Sequence, residues 1–122
     1  METPERKEEK TSSHVSFERW KSLDIRVGKI SGAERVLGSE KLIKLAVETG
    51  EDEFPSGRCI VAGIGLKYEP ENLIGREVTI IANLEPRKLM GIESQGMLLA
   101  ANDDGPVLLI PEREVPPGSK IS

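Results

Sequence analysis

Apolar and polar residues alternate along much of this chain in short runs, and the phase of each run predicts a strand or a break. In LDIRVGKI (residues 23–30), Leu23, Ile25 and Val27 share one face while Asp24 and Arg26 take the other. Past Gly28 the phase changes, because Ile30 is apolar on the opposite parity. A glycine at such a point predicts a bulge or a sharp coil, the bend that the first strand of a small closed barrel needs. KLIKLAVETG (41–50) predicts a second strand with Ile43, Leu45 and Val47 inward and Lys44 and Glu48 outward, and EDEFPSG a turn-rich loop.

RCIVAGI (58–64) predicts a third strand, apolar on both parities. GLKYEPENLIG is too interrupted for a strand; Pro70 early and Gly75 at its end predict one or two helical turns. REVTIIANL predicts a fourth strand with Val78, Ile80, Ala82 and Leu84 on one face. MLLAA (97–101) and VLLIP (107–111) predict two short strands joined by the turn residues NDDG. Ahead of all these, Ser16 before FERWKSL reads as a helix N-cap, with Phe17 and Trp20 on one face to pin the N-terminus onto an apolar surface. Five or six short strands with one helix after the third is the element order of an OB-type barrel: mainly β, five-stranded, with extra terminal elements.

The double-faced apolar strands RCIVAGI and MLLAA admit two readings. Either the N-terminal helix and the C-terminal segment cover them, or a second copy of the chain does.

Composition narrows what the barrel can do. The 122 residues carry 17 Lys and Arg against 21 Asp and Glu, a formal charge of −4. A strongly basic coat that binds any nucleic acid is excluded, so polyanion binding requires local sorting of charge. Residues 1–13 are dense in charge and nearly devoid of apolar side chains, which predicts a flexible tail ahead of one domain over 14–122. No apolar run is long enough for a membrane span or a signal peptide. With the single cysteine, Cys59, this suggests a reducing cytoplasm.

Catalytic chemistry finds no support. The lone His14 falls outside the strands, so Ser94 has no imidazole base, and Cys59 reads as a core residue. Gly63 and Gly65 form a GxG without the third glycine or the βαβ context of a dinucleotide site. The acids Asp103–Asp104 and Glu51–Asp52–Glu53 fall in turn-like loops with no His or Cys partner. No enzyme, metal or cofactor is indicated.

One segment remains. NLEPRKLMGIESQGMLLAA (83–101) places a polar, hairpin-like stretch between two apolar strands, where the loop of an OB barrel borders its ligand face. Asn83 and Ser94 offer hydrogen bonds, Arg87 and Lys88 offer charge to phosphate, and Gly91 and Gly96 allow close backbone approach. A solvated connection fits the same spacing equally well.

The run Asn83-Leu-Glu-Pro86-Arg-Lys88-Leu-Met-Gly91-Ile-Glu-Ser94-Gln-Gly96-Met97 resembles the signature of the tRNA-binding domain appended to many methionyl-tRNA synthetases. The same domain occurs in free-standing tRNA-binding proteins, synthetase cofactors and the CsaA chaperone. FERWKSLDIRVGKI, EKLIKLAVETGE, RCIVAGIGLKYEPENLIGREV and VPPGSKI resemble its other blocks in order, so the similarity runs from about Phe17 to the C-terminus.

The resemblance implies an OB barrel, a homodimer, and recognition of tRNA by shape, either free-standing or as a trans-acting beta-type subunit of methionyl-tRNA synthetase. It implies Asn83, Lys88, Ser94 and Met97 as tRNA-facing, with Lys41 and Arg58 from the second and third strand blocks. An export chaperone of the CsaA type, binding unfolded peptide, is the alternative.

The chain departs from the family at Glu85, where lysine is usual, at Leu37-Gly38-Ser39, where a His-Pro turn is common, and at Ala62, where serine is frequent. Glu85 and Glu93 offset Arg87 and Lys88, which implies weaker RNA binding. Only four aromatic residues exist and none lies in a predicted central strand, so base stacking, at roughly 1–3 kcal/mol per base, is not the expected mode. A folded RNA read through its backbone suits this barrel better.

Overall fold

The computed structural model describes residues 13–122, and the charged tail predicted over 1–13 lies almost wholly outside them. Strand β1 spans Ile25–Arg35, β2 Ile43–Glu48, β3 Arg58–Ala62 and β4 Glu77–Ile81, with a 3-10 turn at Pro70–Asn72 after β3. The fifth barrel strand, β7, is only Met97–Leu98. Between β4 and β7 stands a small hairpin of β5 (Arg87–Leu89) and β6 (Ile92–Ser94). Strands β8 (Ala100–Asn102) and β9 (Pro106–Leu108) form a second hairpin, and β10 (Lys120–Ile121) ends the chain.

The barrel sheet runs β3-β2-β1-β4-β7, all neighbours antiparallel. The coil of β1 is where the phase change predicted it. Val27 and Gly28 are both buried, while the ladder to β4 passes through Gly28 opposite Val78 without an extra residue. The bulge proper falls later, between Ile30 and Gly32 against β2. Gly28 is required there because a Cβ would overlap Val47 Cγ1. The coil lets one strand pair with β4 and β10 at its start and with β2 at its end.

The core contains the inward residues that the alternation predicts for β2 and β4, joined by Ile30 and Ile60. Ile30, Ile43, Leu45, Val47, Ile60, Val78 and Ile80 are fully buried, and Leu73 from the 3-10 segment joins them. Burial of such side chains supplies about 1.5–3 kcal/mol each before entropy is counted.

Other expectations change. MLLAA is not one strand: Met97–Leu98 closes the barrel, whereas Ala100–Asn102 turns away to pair with β9. The NDDG turn forms, with Asp104 and Gly105 at positive φ. Leu23 and Leu84, which the alternation predicts inward, lie outside the strands, both exposed.

The N-terminal helix α1 (Phe17–Lys21) is capped by Ser16, whose Oγ accepts from the Arg19 amide at 3.2 Å. It buries none of its residues: Phe17 is 70% exposed and Trp20 39%. Cover for β3 comes from elsewhere. Val61 lies beneath the β5–β6 hairpin, beside Leu89 and Met97.

Candidate nucleic-acid interface

Closure of the barrel combines one backbone bond with bonds to side chains. Where β7 should ladder with β3, the Gln95 amide donates to Cys59 O at 2.7 Å and Gln95 Oε1 accepts from the Cys59 amide at 2.7 Å. Ser94 Oγ accepts from the Val61 amide at 2.9 Å and donates to Gly96 O at 3.1 Å. A ladder strand here would seal the seam. This partial closure leaves a groove of about 350 Å³ between β3, β7 and the β5–β6 hairpin.

Four of the seven predicted residues meet at this groove: Lys41, Arg87, Ser94 and Met97 line it. Arg87 and Lys88 are neighbours on β5, so they face opposite sides of the hairpin. Arg87 sits opposite Ser94 and looks into the groove, whereas Lys88 sits opposite Glu93 on the outer surface. Met90 and Gly91, at φ 51 and 82, make the two-residue turn that fixes this register.

Lys41, Arg87 and Lys88 are exposed and, among the described residues, make no ion pair. Arg26, Lys29, Arg35, Lys44, Arg58, Lys67 and Lys120 are held by carboxylates, whereas Arg19, Lys21, Arg76 and Arg113, like the rim cations, make no ion pair among the described residues. Three uncommitted cations at one end of an acidic protein are the local charge sorting that polyanion binding requires. Glu85 also lines the groove and opposes them.

Ser94, Asn83 and Arg58 have structural partners. Ser94 is 5% exposed and its hydroxyl is occupied by the two closing bonds. Asn83 pins the start of β1: its Oδ1 accepts from the Asp24 amide at 2.9 Å, and its Nδ2 donates to Ser22 O at 2.7 Å. Arg58 is 8% exposed. Its Nε and Nη2 fork onto Glu51 at 2.7 and 2.9 Å, and its Nη1 donates to Ala82 O and Gln95 O at 2.9 and 2.7 Å. The guanidinium lies over the Phe54 ring, 4.5 Å from its centroid.

Glu51 is held at about 2, well below its ordinary 4.5, first by the Arg58 hydrogen bond, with help from the Thr49 hydroxyl and the charges of Arg58 and Arg26. The sequence marks neither Glu51 nor Gln95 as part of the site. Opposite charges at the two ends of the loop EDEFPSGR were the available signal for Glu51; nothing marked Gln95.

Among the described residues, no aromatic ring lines the groove. Phe54 stacks on Arg58, the Tyr68 hydroxyl accepts from the Leu108 amide at 3.2 Å, and Phe17 and Trp20 stay on α1. Burial pushes the Cys59 thiol up, away from thiolate reactivity.

A family model described as "Putative tRNA binding domain" matches residues 25–120, which includes the whole barrel and the rim. The chain belongs to the tRNA-binding domain family. This tRNA-binding domain is 52% identical over 108 residues to the methionine–tRNA ligase of Methanothrix thermoacetophila, covering 88% of the chain and 15% of that relative. It is 50% identical over 121 residues to the ligase of Caldanaerobacter subterraneus, covering 98% of the chain and 18% of that relative. The domain thus spans less than a fifth of these ligases.

Among solved structures it resembles the MetRS-related protein of Pyrococcus horikoshii, with TM-score 0.81, 36% identity, and coverage of 90% of this chain and 99% of that one. The chaperone CsaA of Bacillus anthracis also superposes with TM-score 0.81, at 31% identity over 90% of this chain and 100% of that one. No described helix is long and apolar enough to cross a membrane.

Proposed function

We propose that this tRNA-binding domain holds folded tRNA on the barrel-end rim, with Lys41, Arg87 and Lys88 on phosphates and Met97 against the sugar–phosphate surface. The observation that carries the reading is the pair of uncommitted cations lining the groove of a family member, Lys41 and Arg87, with Lys88 on the outer side of the same hairpin. A ring-free groove favours an already folded RNA over splayed single strands. The domain performs no chemistry itself. It raises the concentration of tRNA beside a cytoplasmic synthetase, and the ligase relatives favour methionyl-tRNA synthetase as that partner. A homodimer is supported by α1, whose Phe17 and Trp20 stay exposed among the described residues.

The test is a titration of tRNA against single-stranded RNA of equal length at several salt concentrations. Intact tRNA should win, and Arg87→Ala and Lys88→Ala should each flatten the salt slope by about one unit. Unchanged slopes would place the site elsewhere. The CsaA likeness and the apolar lining of Leu42, Val61, Leu89 and Leu98 support a second reading, an unfolded peptide as ligand. Under that reading unfolded peptide displaces tRNA.

A further inference from the structure

The chain leaves the core at Ala82 and returns at Gln95, and everything between them forms the rim. Both of those residues offer their carbonyls to one atom, Nη1 of Arg58, at 2.9 and 2.7 Å. The rest of the guanidinium cannot drift. Its Nε and Nη2 bond both oxygens of Glu51, Phe54 covers its face, and Glu51 in turn takes the Thr49 hydroxyl. A chain of charges continues outward: Arg26 stands 3.8 Å from Glu51 and 2.9 Å from Asp24, and Lys120 stands 3.6 Å from Asp24. The root of the rim is thereby tied to the loop between β2 and β3 and to the C-terminal strand.

Resting on the tRNA reading above, we propose that Arg58, oriented by Glu51, is a positioning residue for RNA binding: it joins the two ends of the rim loop and sets the pose of Arg87 and Lys88 without touching RNA. The guanidinium is suited to this because one planar fork serves a carboxylate and two carbonyls together, which an ammonium cannot do. Four of its five N–H groups are committed within the protein, and the group is buried. It has no face left for phosphate.

The consequence has a sign that simple electrostatics does not share. Glu51→Gln makes the chain one charge less negative, which by itself strengthens binding of a polyanion. Loosening the fork has the opposite effect. If the rim then keeps its competent pose for a tenth of the time, the apparent Kd for tRNA rises about tenfold.

The experiment measures Kd and its salt dependence for tRNA with the full chain and with Glu51→Gln, Arg58→Met and the double variant Arg87→Ala/Lys88→Ala. Folding is checked by circular dichroism and thermal melting. The expected result is binding about tenfold weaker in Glu51→Gln with an unchanged salt slope. Arg58→Met should weaken binding likewise with the slope intact, whereas the double variant should flatten it by about two units.

Tighter or equal binding in folded Glu51→Gln overturns the proposal, as does a slope about one unit flatter in Arg58→Met, which would make Arg58 a phosphate contact. If Arg58→Met does not fold, Glu51→Gln alone decides. A double variant that binds tRNA normally removes the functional reading itself, a failure distinguishable from loss of the positioning role.

Discussion

Lowering the pH should destabilise this protein chiefly through Glu51, and Glu51→Gln should remove most of that sensitivity. The Glu51 carboxyl is held at about 2 against an ordinary 4.5, with the Arg58 hydrogen bond as the largest cause and burial working the other way. At about 1.4 kcal/mol per unit, that difference corresponds to about 3 kcal/mol. The folded state keeps the carboxylate charged where the unfolded chain has already taken up its proton. The stabilisation is therefore complete above the ordinary carboxylate range and disappears as the pH falls from about 4.5 to about 2.

Asp24, lowered first by its hydrogen bond to Arg26, acts in the same direction and stays in the variant as an internal reference. Urea unfolding at steps between pH 7 and pH 2 would measure the effect. The wild-type chain should lose about 3 kcal/mol more than Glu51→Gln across that interval. The variant should start lower at neutral pH, by about 3 kcal/mol, because a buried guanidinium has lost its counter-charge. Parallel stability curves for the two proteins in the acid range would refute the reasoning.

Ser94→Ala should cost about 1–3 kcal/mol in urea unfolding, because the buried Val61 amide loses its acceptor at the barrel seam. Gly118→Ala should release the C-terminal strand: Gly118 has φ +93, and a Cβ there would overlap Thr49 O. Faster hydrogen exchange at the Val27 amide, which donates to Ser119 O at 2.9 Å, would report it. Ile80→Ala, at a fully buried position in β4, should lower stability by about 2–5 kcal/mol and leave the salt slope of tRNA binding unchanged.

Much of the barrel was legible in advance because its information is local. Alternation placed Ile43, Leu45, Val47, Val78 and Ile80 inward, and the phase change at Gly28 located the coil of β1. Pro70 and Gly75 bounded the short helical turn, and the turn residues 102–105 joined two strands as expected. The rim stands out in the sequence as a motif, but a side chain's chemistry does not say which backbone groups will stand within its reach.

The family resemblance implies RNA-facing roles for Ser94, Asn83 and Arg58, and in the fold each satisfies protein groups distant in sequence: Ser94 with Val61, Asn83 with Ser22 and Asp24, Arg58 with Ala82 and Gln95.

By itself the sequence determined a coiled β-barrel with one short helical turn, an acidic body, and a polar rim bearing Arg87 and Lys88. Hydrophobic period and turn chemistry are properties of neighbouring residues, so they survive in a linear reading. Only the tertiary structure decided which cations remain free for a ligand. Ion pairing depends on distances between strands, and those exist only once β3 has been brought against the returning end of the rim.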